Sequence, residues 1–100
     1  MAKQETAVRQ RPQTKGKAPG HYEVTMHNDD VTTMDFVVRV LREVFFKSED
    51  DARELMLRAH TKGQAVVGVY SLDIAQSKID KVKKMARAQG FPLKLTYKAV

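Results

Sequence analysis

The chain has no cysteine. That excludes a disulfide scaffold, any Cys-ligated zinc site and a thiol nucleophile, and it is compatible with a reducing compartment. No apolar run approaches the roughly 18 residues that a membrane span requires. The opening residues, MAKQETAVRQRPQTKGK, lack the apolar stretch of a secretion signal. A cytoplasmic protein with no membrane partner is the resulting expectation. Aromatic residues are scarce at 7%, and no RNP-like, KH-like or zinc-finger pattern is present, which leaves little to stack on or read bases.

A net charge of +6 still invites a nucleic-acid reading, and the position of the charge weakens it. Residues 1–20 hold Lys3, Arg9, Arg11, Lys15 and Lys17 against the single acid Glu5, whereas the other 80 residues hold 13 basic and 11 acidic side chains. The basicity therefore belongs mainly to one end, and no nucleic-acid partner is expected. That same end is built from Gln, Lys, Arg, Thr, Pro and Gly. It has too little apolar surface to offset the entropy of ordering, so residues 1–20 read as a disordered tail closed by Pro19-Gly20.

From His21 onward the pattern is that of one globular domain, residues 21–100. Tyr22 to Met26 alternates apolar and polar, as a half-buried strand does. His27-Asn28-Asp29-Asp30 interrupts it with residues that favour turns. Thr32 or Thr33 can cap a helix from Met34, whose apolar face is Met34, Val37, Val38, Leu41, Val44 and Phe45. Ser48 opens a second helix with three acids in its first turn, Ala52, Leu55, Met56 and Ala59 inside, and Gly63 as its stop. Gln64 to Tyr70 is a β-branched run that reads as a fully buried strand. Ser71 starts a third helix with Leu72, Ile74, Ala75, Ile79, Val82, Met85 and Ala86 inward. Gly90 and Pro92 end it, and a last strand spans Leu93 to Tyr97. The order β-α-α-β-α-β implies an α+β fold in which three helices cover one face of a three-stranded antiparallel sheet.

Few residues could carry chemistry. Asn28-Asp29-Asp30 alone is most simply a turn, yet it puts two carboxylates and an amide at a strand end, a combination suited to an ammonium ion or a metal. The positions after Asp30 lack the further oxygen ligands a metal would need, so neither metal nor cofactor is expected. His60 falls at the last turn of the second helix, where the helix dipole favours it. With no nucleophile in reach, it has nothing to activate, and an enzyme is not expected. Met34 and Met56 are by default core filling, but each lies near one of these polar groups. The four together outline a small apolar hole with a polar rim. Lys78, Lys81, Lys83, Lys84 and Arg87 make a basic, solvated side of the third helix.

The stretches Tyr22–Val37 (YEVTMHNDDVTTMDFV), Leu55–Gly63 (LMLRAHTKG) and Ala65–Tyr70, with the ending Phe91-Pro92-Leu93, resemble the Clp-protease adaptor family, ClpS, across essentially all of residues 21–100. The joint pattern of an N-D-D-x-T turn followed by M-L-x-x-H-x-x-G is far more specific than either piece. The resemblance implies a monomeric, non-catalytic adaptor. It would bind N-degrons, proteins or peptides whose first residue is Leu, Phe, Tyr or Trp, and deliver them to a Clp AAA+ unfoldase and its peptidase. It assigns Asn28, Asp29 and His60 to the α-amino group, and Asp30 to the turn or the peptide backbone. Met26, Thr32, Met34, Val37, Met56, Ala59 and Leu93 would form the hydrophobic pocket. Asp73 and Lys78 would dock on the unfoldase's N-domain, and residues 1–20 would act in substrate handover. Ala59 stands where the family commonly has a larger aliphatic residue, and Thr33 where proline is frequent. Two other readings stay open on the residues alone: an interaction module resembling the C-terminal domain of the ribosomal stalk protein, and a tail-driven nucleic-acid binder.

Overall fold

The computed structural model describes residues 20–100, so all of the tail but Gly20 lies outside the described residues. The elements run β1 (Tyr22–His27), α1 (Met34–Glu43), α2 (Glu49–Lys62), β2 (Gln64–Tyr70), α3 (Leu72–Gln89) and β3 (Lys94–Ala99). β1 is the central strand, antiparallel to both neighbours, in the order β2-β1-β3. The expected α+β architecture is the one observed.

Each helix begins and ends where its local chemistry dictates. The Thr33 hydroxyl accepts the Phe36 N–H and the Ser48 hydroxyl accepts the Asp51 N–H, each meeting one of the donors a helix start leaves unpaired. Ser71 is the third cap residue, without a side-chain bond of this kind. Gly63 and Gly90 take the left-handed conformation at φ 90° and 75° that closes α2 and α3.

The core lies between the helices and one face of the sheet. Its largest fully buried side chains are Met26, Leu41, Val24, Val40 and Val82. Three expectations need correcting here. α1 buries Phe36 and Val40 as well as Val38 and Leu41, while Met34 at its start is exposed. The helix is covered on more than the one stripe the periodicity marked, and the Phe36 ring meets the edge of Phe91 at 5.1 Å between centroids. β2 is not fully buried. It is an edge strand with Ala65 and Val67 inward and Val66 and Val69 exposed on the uncovered face. In α3 the buried residues Ala75, Ile79, Val82 and Ala86 recur every three or four positions, and Ile74, one step off that stripe, is exposed.

The register is irregular once. The β2 partner moves from Gly68 opposite Val24 to Val66 opposite Thr25, which leaves Val67 without a partner on β1. Between α1 and α2 the backbone takes a sharper step. Phe46 has φ 56°, the one non-glycine residue at positive φ among those described. Such a conformation costs about 1–3 kcal/mol and persists only where its surroundings enforce it.

Candidate functional site: a polar-rimmed cavity where strand β1 meets helix α2

The ends of β1 and α2 are joined by a main-chain bond. The Asn28 N–H donates to the Gly63 carbonyl at 2.9 Å, continuing the β1–β2 pairing that ends with His27 opposite Gln64. This bond fixes the Asn28-Asp29-Asp30 turn beside the last turn of α2, where His60 sits. Beyond it the turn is built by one carboxylate. Asp29 Oδ1 accepts the Val31 N–H at 2.8 Å and the Thr32 N–H at 2.6 Å, and Oδ2 accepts the Thr32 hydroxyl at 2.8 Å. A carboxylate has about four acceptor sites, so the turn occupies three and leaves one on Oδ2. Burial alone would raise the Asp29 pKa; the bonds from the Thr32 backbone, the Thr32 hydroxyl and the Val31 backbone outweigh it, and the pKa lies below the usual aspartate value.

Between this turn, the start of α1 and the end of α2 lies a cavity of about 390 Å³. Met26, Met56, Ala59 and Leu93 are buried and form its floor and inner wall, with Val37 half-buried and Met34 exposed at 46%. Asn28, Asp30 and His60 are exposed on its rim, and Asp29 and Thr32 are partly buried between rim and floor. Every residue that the sequence placed at the amino group, the turn or the hydrophobic pocket lines this one cavity. Asp73 and Lys78 do not; both belong to α3, Asp73 exposed in its first turn and Lys78 half-buried. Val31, Thr33 and His27 line the cavity too and were not anticipated as pocket residues. The signal was continuity, because a loop that forms one wall contributes all of its residues. His27 also pairs with Thr96, Nε2 to Oγ1 at 2.8 Å, across from β3.

The volume falls near the lower end for small-ligand pockets, enough for one large side chain and its polar terminus. The rim is acidic on one side and bears the carbonyl end of α2, which carries partial negative charge, on the other. Such a site suits a cation attached to an apolar group. Among the described residues no cluster of three or more potential metal ligands occurs, and no helix is long and apolar enough to cross a membrane.

Comparison with known proteins agrees with this geometry. Residues 17–96 match the family model for the ATP-dependent Clp protease adaptor protein ClpS. The chain belongs to the ClpS family. Among ClpS adapter proteins, that of Acetivibrio thermocellus is 50% identical over 90 residues, covering 90% of this chain and 91% of the relative. That of Desulfatibacillum aliphaticivorans is 49% identical over 83 residues, 83% of this chain and 80% of the relative. The structure of Agrobacterium tumefaciens ClpS2 bound to L-phenylalaninamide superposes with a TM-score of 0.79 at 41% identity, covering 83% of this chain and all of that one. The chain is thus an adaptor of the Clp protease, and its relatives are named as adapters rather than as enzymes.

The Asp29 turn gives this ClpS-family chain an acid-sensitive element. Its bonds contribute fully while both folded and unfolded chains are ionised. As pH falls through the ordinary aspartate range near ~3.9, the unfolded chain takes up the proton first, and stability declines until the lower folded pKa is passed. Asp29→Asn should reduce the acid-side slope of stability, and Thr32→Val should cost about 0.5–1.5 kcal/mol at neutral pH. Urea denaturation at pH 3 to 7 checks both; an unchanged acid slope in Asp29→Asn would remove the carboxylate from this role.

Proposed function

We propose that this adaptor captures free protein N-termini that begin with Leu, Phe, Tyr or Trp and hands them to a Clp AAA+ unfoldase and its peptidase. The observation that carries the proposal is the single cavity with a methionine-lined floor and an amide, carboxylates and an imidazole on its rim. The complex of A. tumefaciens ClpS2 with L-phenylalaninamide, a free amino group joined to an aromatic side chain, supports the same reading.

An α-amino group with a pKa near ~8 is mostly protonated at neutral pH and offers three N–H donors. In the proposed complex the Asn28 amide oxygen, the remaining Asp29 Oδ2 site and a neutral His60 ring nitrogen accept one each. Asp30 adds negative charge at the rim. An internal residue has one N–H and no charge, so it would leave acceptors unpaired at about 1–3 kcal/mol each. The first side chain fills the hole bounded by Met26, Thr32, Met34, Val37, Met56, Ala59 and Leu93, and its burial contributes roughly 1.5–3 kcal/mol. Ala59 leaves room at the inner wall that a larger aliphatic residue would occupy. Asp73 and Lys78 belong to the face that docks on the unfoldase N-domain, and residues 1–20 assist handover.

The direct assay is degradation of reporter proteins identical but for the first residue, by the Clp unfoldase and peptidase with and without the adaptor. Acceleration for Leu, Phe, Tyr and Trp, with none for Met-Ser starts, is expected; equal acceleration of all would contradict the proposal. Met34 stands at the mouth, where a branch at Cβ would meet it. Met34→Ala should raise affinity for peptides starting with Ile or Val by about tenfold. Fluorescence anisotropy reads this out, and an unaltered preference would remove Met34 from the gate.

A further inference from the structure

An adaptor holds two partners at once, and the cavity accounts for only one of them. Phe46 offers what the second requires. It is the most exposed large apolar side chain described, at 79%, and it holds the strained backbone noted above. Its neighbours Val44 and Phe45 are buried, and the Lys47 N–H returns to the Leu41 carbonyl at 3.0 Å, so the chain turns Phe46 outward between two anchored points. The ring buries little in its own chain and gains there a cation–π contact with Lys78, a small return beside the strain; strain of this kind gathers at functional positions.

Lys78 holds the arrangement together. Its Nζ donates to the Val44 carbonyl at 2.6 Å, at the end of α1, and lies 4.7 Å from the centre of the Phe46 ring, 5.6 Å from Phe45 and 5.5 Å from Tyr70. The ammonium is therefore engaged within its own chain, by a carbonyl and three aromatic faces. Burial, and after it the charge of Lys81, lowers the Lys78 pKa. Ile74, 49% exposed, lies one helical turn before Lys78 on the same side of α3, with exposed Asp73 beside it in sequence. None of these residues lines the cavity, so the patch is available while a peptide is held. An exposed aromatic and an aliphatic residue, with Arg42, Glu43, Lys47 and Glu49 around Phe46 and Lys78 against its ring, fit a partner with an apolar socket and a charged edge of both signs.

We propose that Phe46 is the aromatic anchor by which this adaptor docks on the Clp unfoldase, and that Lys78 is its positioning residue, pinning the Val44–Phe46 segment. This rests on the reading that the Asp73–Lys78 side of α3 faces the unfoldase. Full-length adaptor, labelled with a fluorophore, is titrated with the source organism's Clp unfoldase, in parallel with a peptide that begins with Phe. Phe46→Gly relieves the backbone strain, so it should melt no lower than the natural chain and bind the peptide equally, yet bind the unfoldase at least about tenfold more weakly. Lys78→Met should weaken docking too, and the Phe46→Gly/Lys78→Met double variant should be no weaker than Phe46→Gly alone, whereas independent contacts would add. Asp73→Lys serves as the control for the docking face. If Asp73→Lys abolishes docking while Phe46→Gly leaves it intact, the anchor is refuted and the face stands. If neither variant changes docking, the face itself is wrong and the anchor falls with it. Additive losses would overturn the positioning role of Lys78.

Discussion

One carboxylate and one main-chain bond organise the binding end of this molecule. Asp29 takes three hydrogen bonds from Val31 and Thr32, which closes the turn after β1. The Asn28 N–H to Gly63 carbonyl bond ties that turn to the junction of α2 and β2. Without the first, the rim has no fixed shape; without the second, it has no fixed distance from His60. The cavity between Met34 and Met56 exists because these two constraints hold the start of α1 and the end of α2 apart over the buried floor of Met26 and Leu93. A polar rim fixed in this way is already organised before any ligand arrives, so less of the binding free energy is lost in ordering it.

The chemistry of the cavity joins two weak discriminators in one residue. An apolar hole alone accepts any large hydrophobic side chain, and a set of acceptors alone accepts any amine. In the proposed complex they act side by side, so that both features are required on the same amino acid, as the first residue of a protein supplies them. The aromatic and lysine cluster at Phe46 and Lys78 involves none of the cavity's residues. The proposed docking at Phe46 needs that separation, since it leaves the cavity free for a peptide.

Much of this was legible in the residues. The alternation of Tyr22–Met26, the Thr33 and Ser48 caps and the glycines at 63 and 90 mark the elements, because each acts through local geometry that tertiary packing did not override. Most of the residues that line the cavity were legible through the family resemblance carried by the joint N-D-D-x-T and M-L-x-x-H-x-x-G pattern; neither half would have sufficed, since what joins them is the Asn28–Gly63 bond between segments far apart in sequence. What was misread depends on neighbours. Gln64–Tyr70 looks fully buried because its residues are β-branched, yet an edge position in a sheet covered on one face exposes Val66 and Val69. Phe36 and Val40 lie off the apolar stripe of α1 and are buried because Phe91 and the core meet the helix from a second side. The resemblance gave the turn or the peptide backbone to Asp30, yet the side-chain hydrogen bonds that close the turn fall to Asp29, since adjacent residues of one type differ only in which backbone donors they reach.

The central claim is that one cavity reads a charged amino group and an apolar side chain on the same residue. Isothermal titration calorimetry of the full chain with a peptide beginning with Phe, and with its N-acetylated twin, tests it most directly. Binding of the free amine, with affinity for the acetylated peptide lower by at least about tenfold, is the expected result. Equal affinity for the two peptides would contradict it.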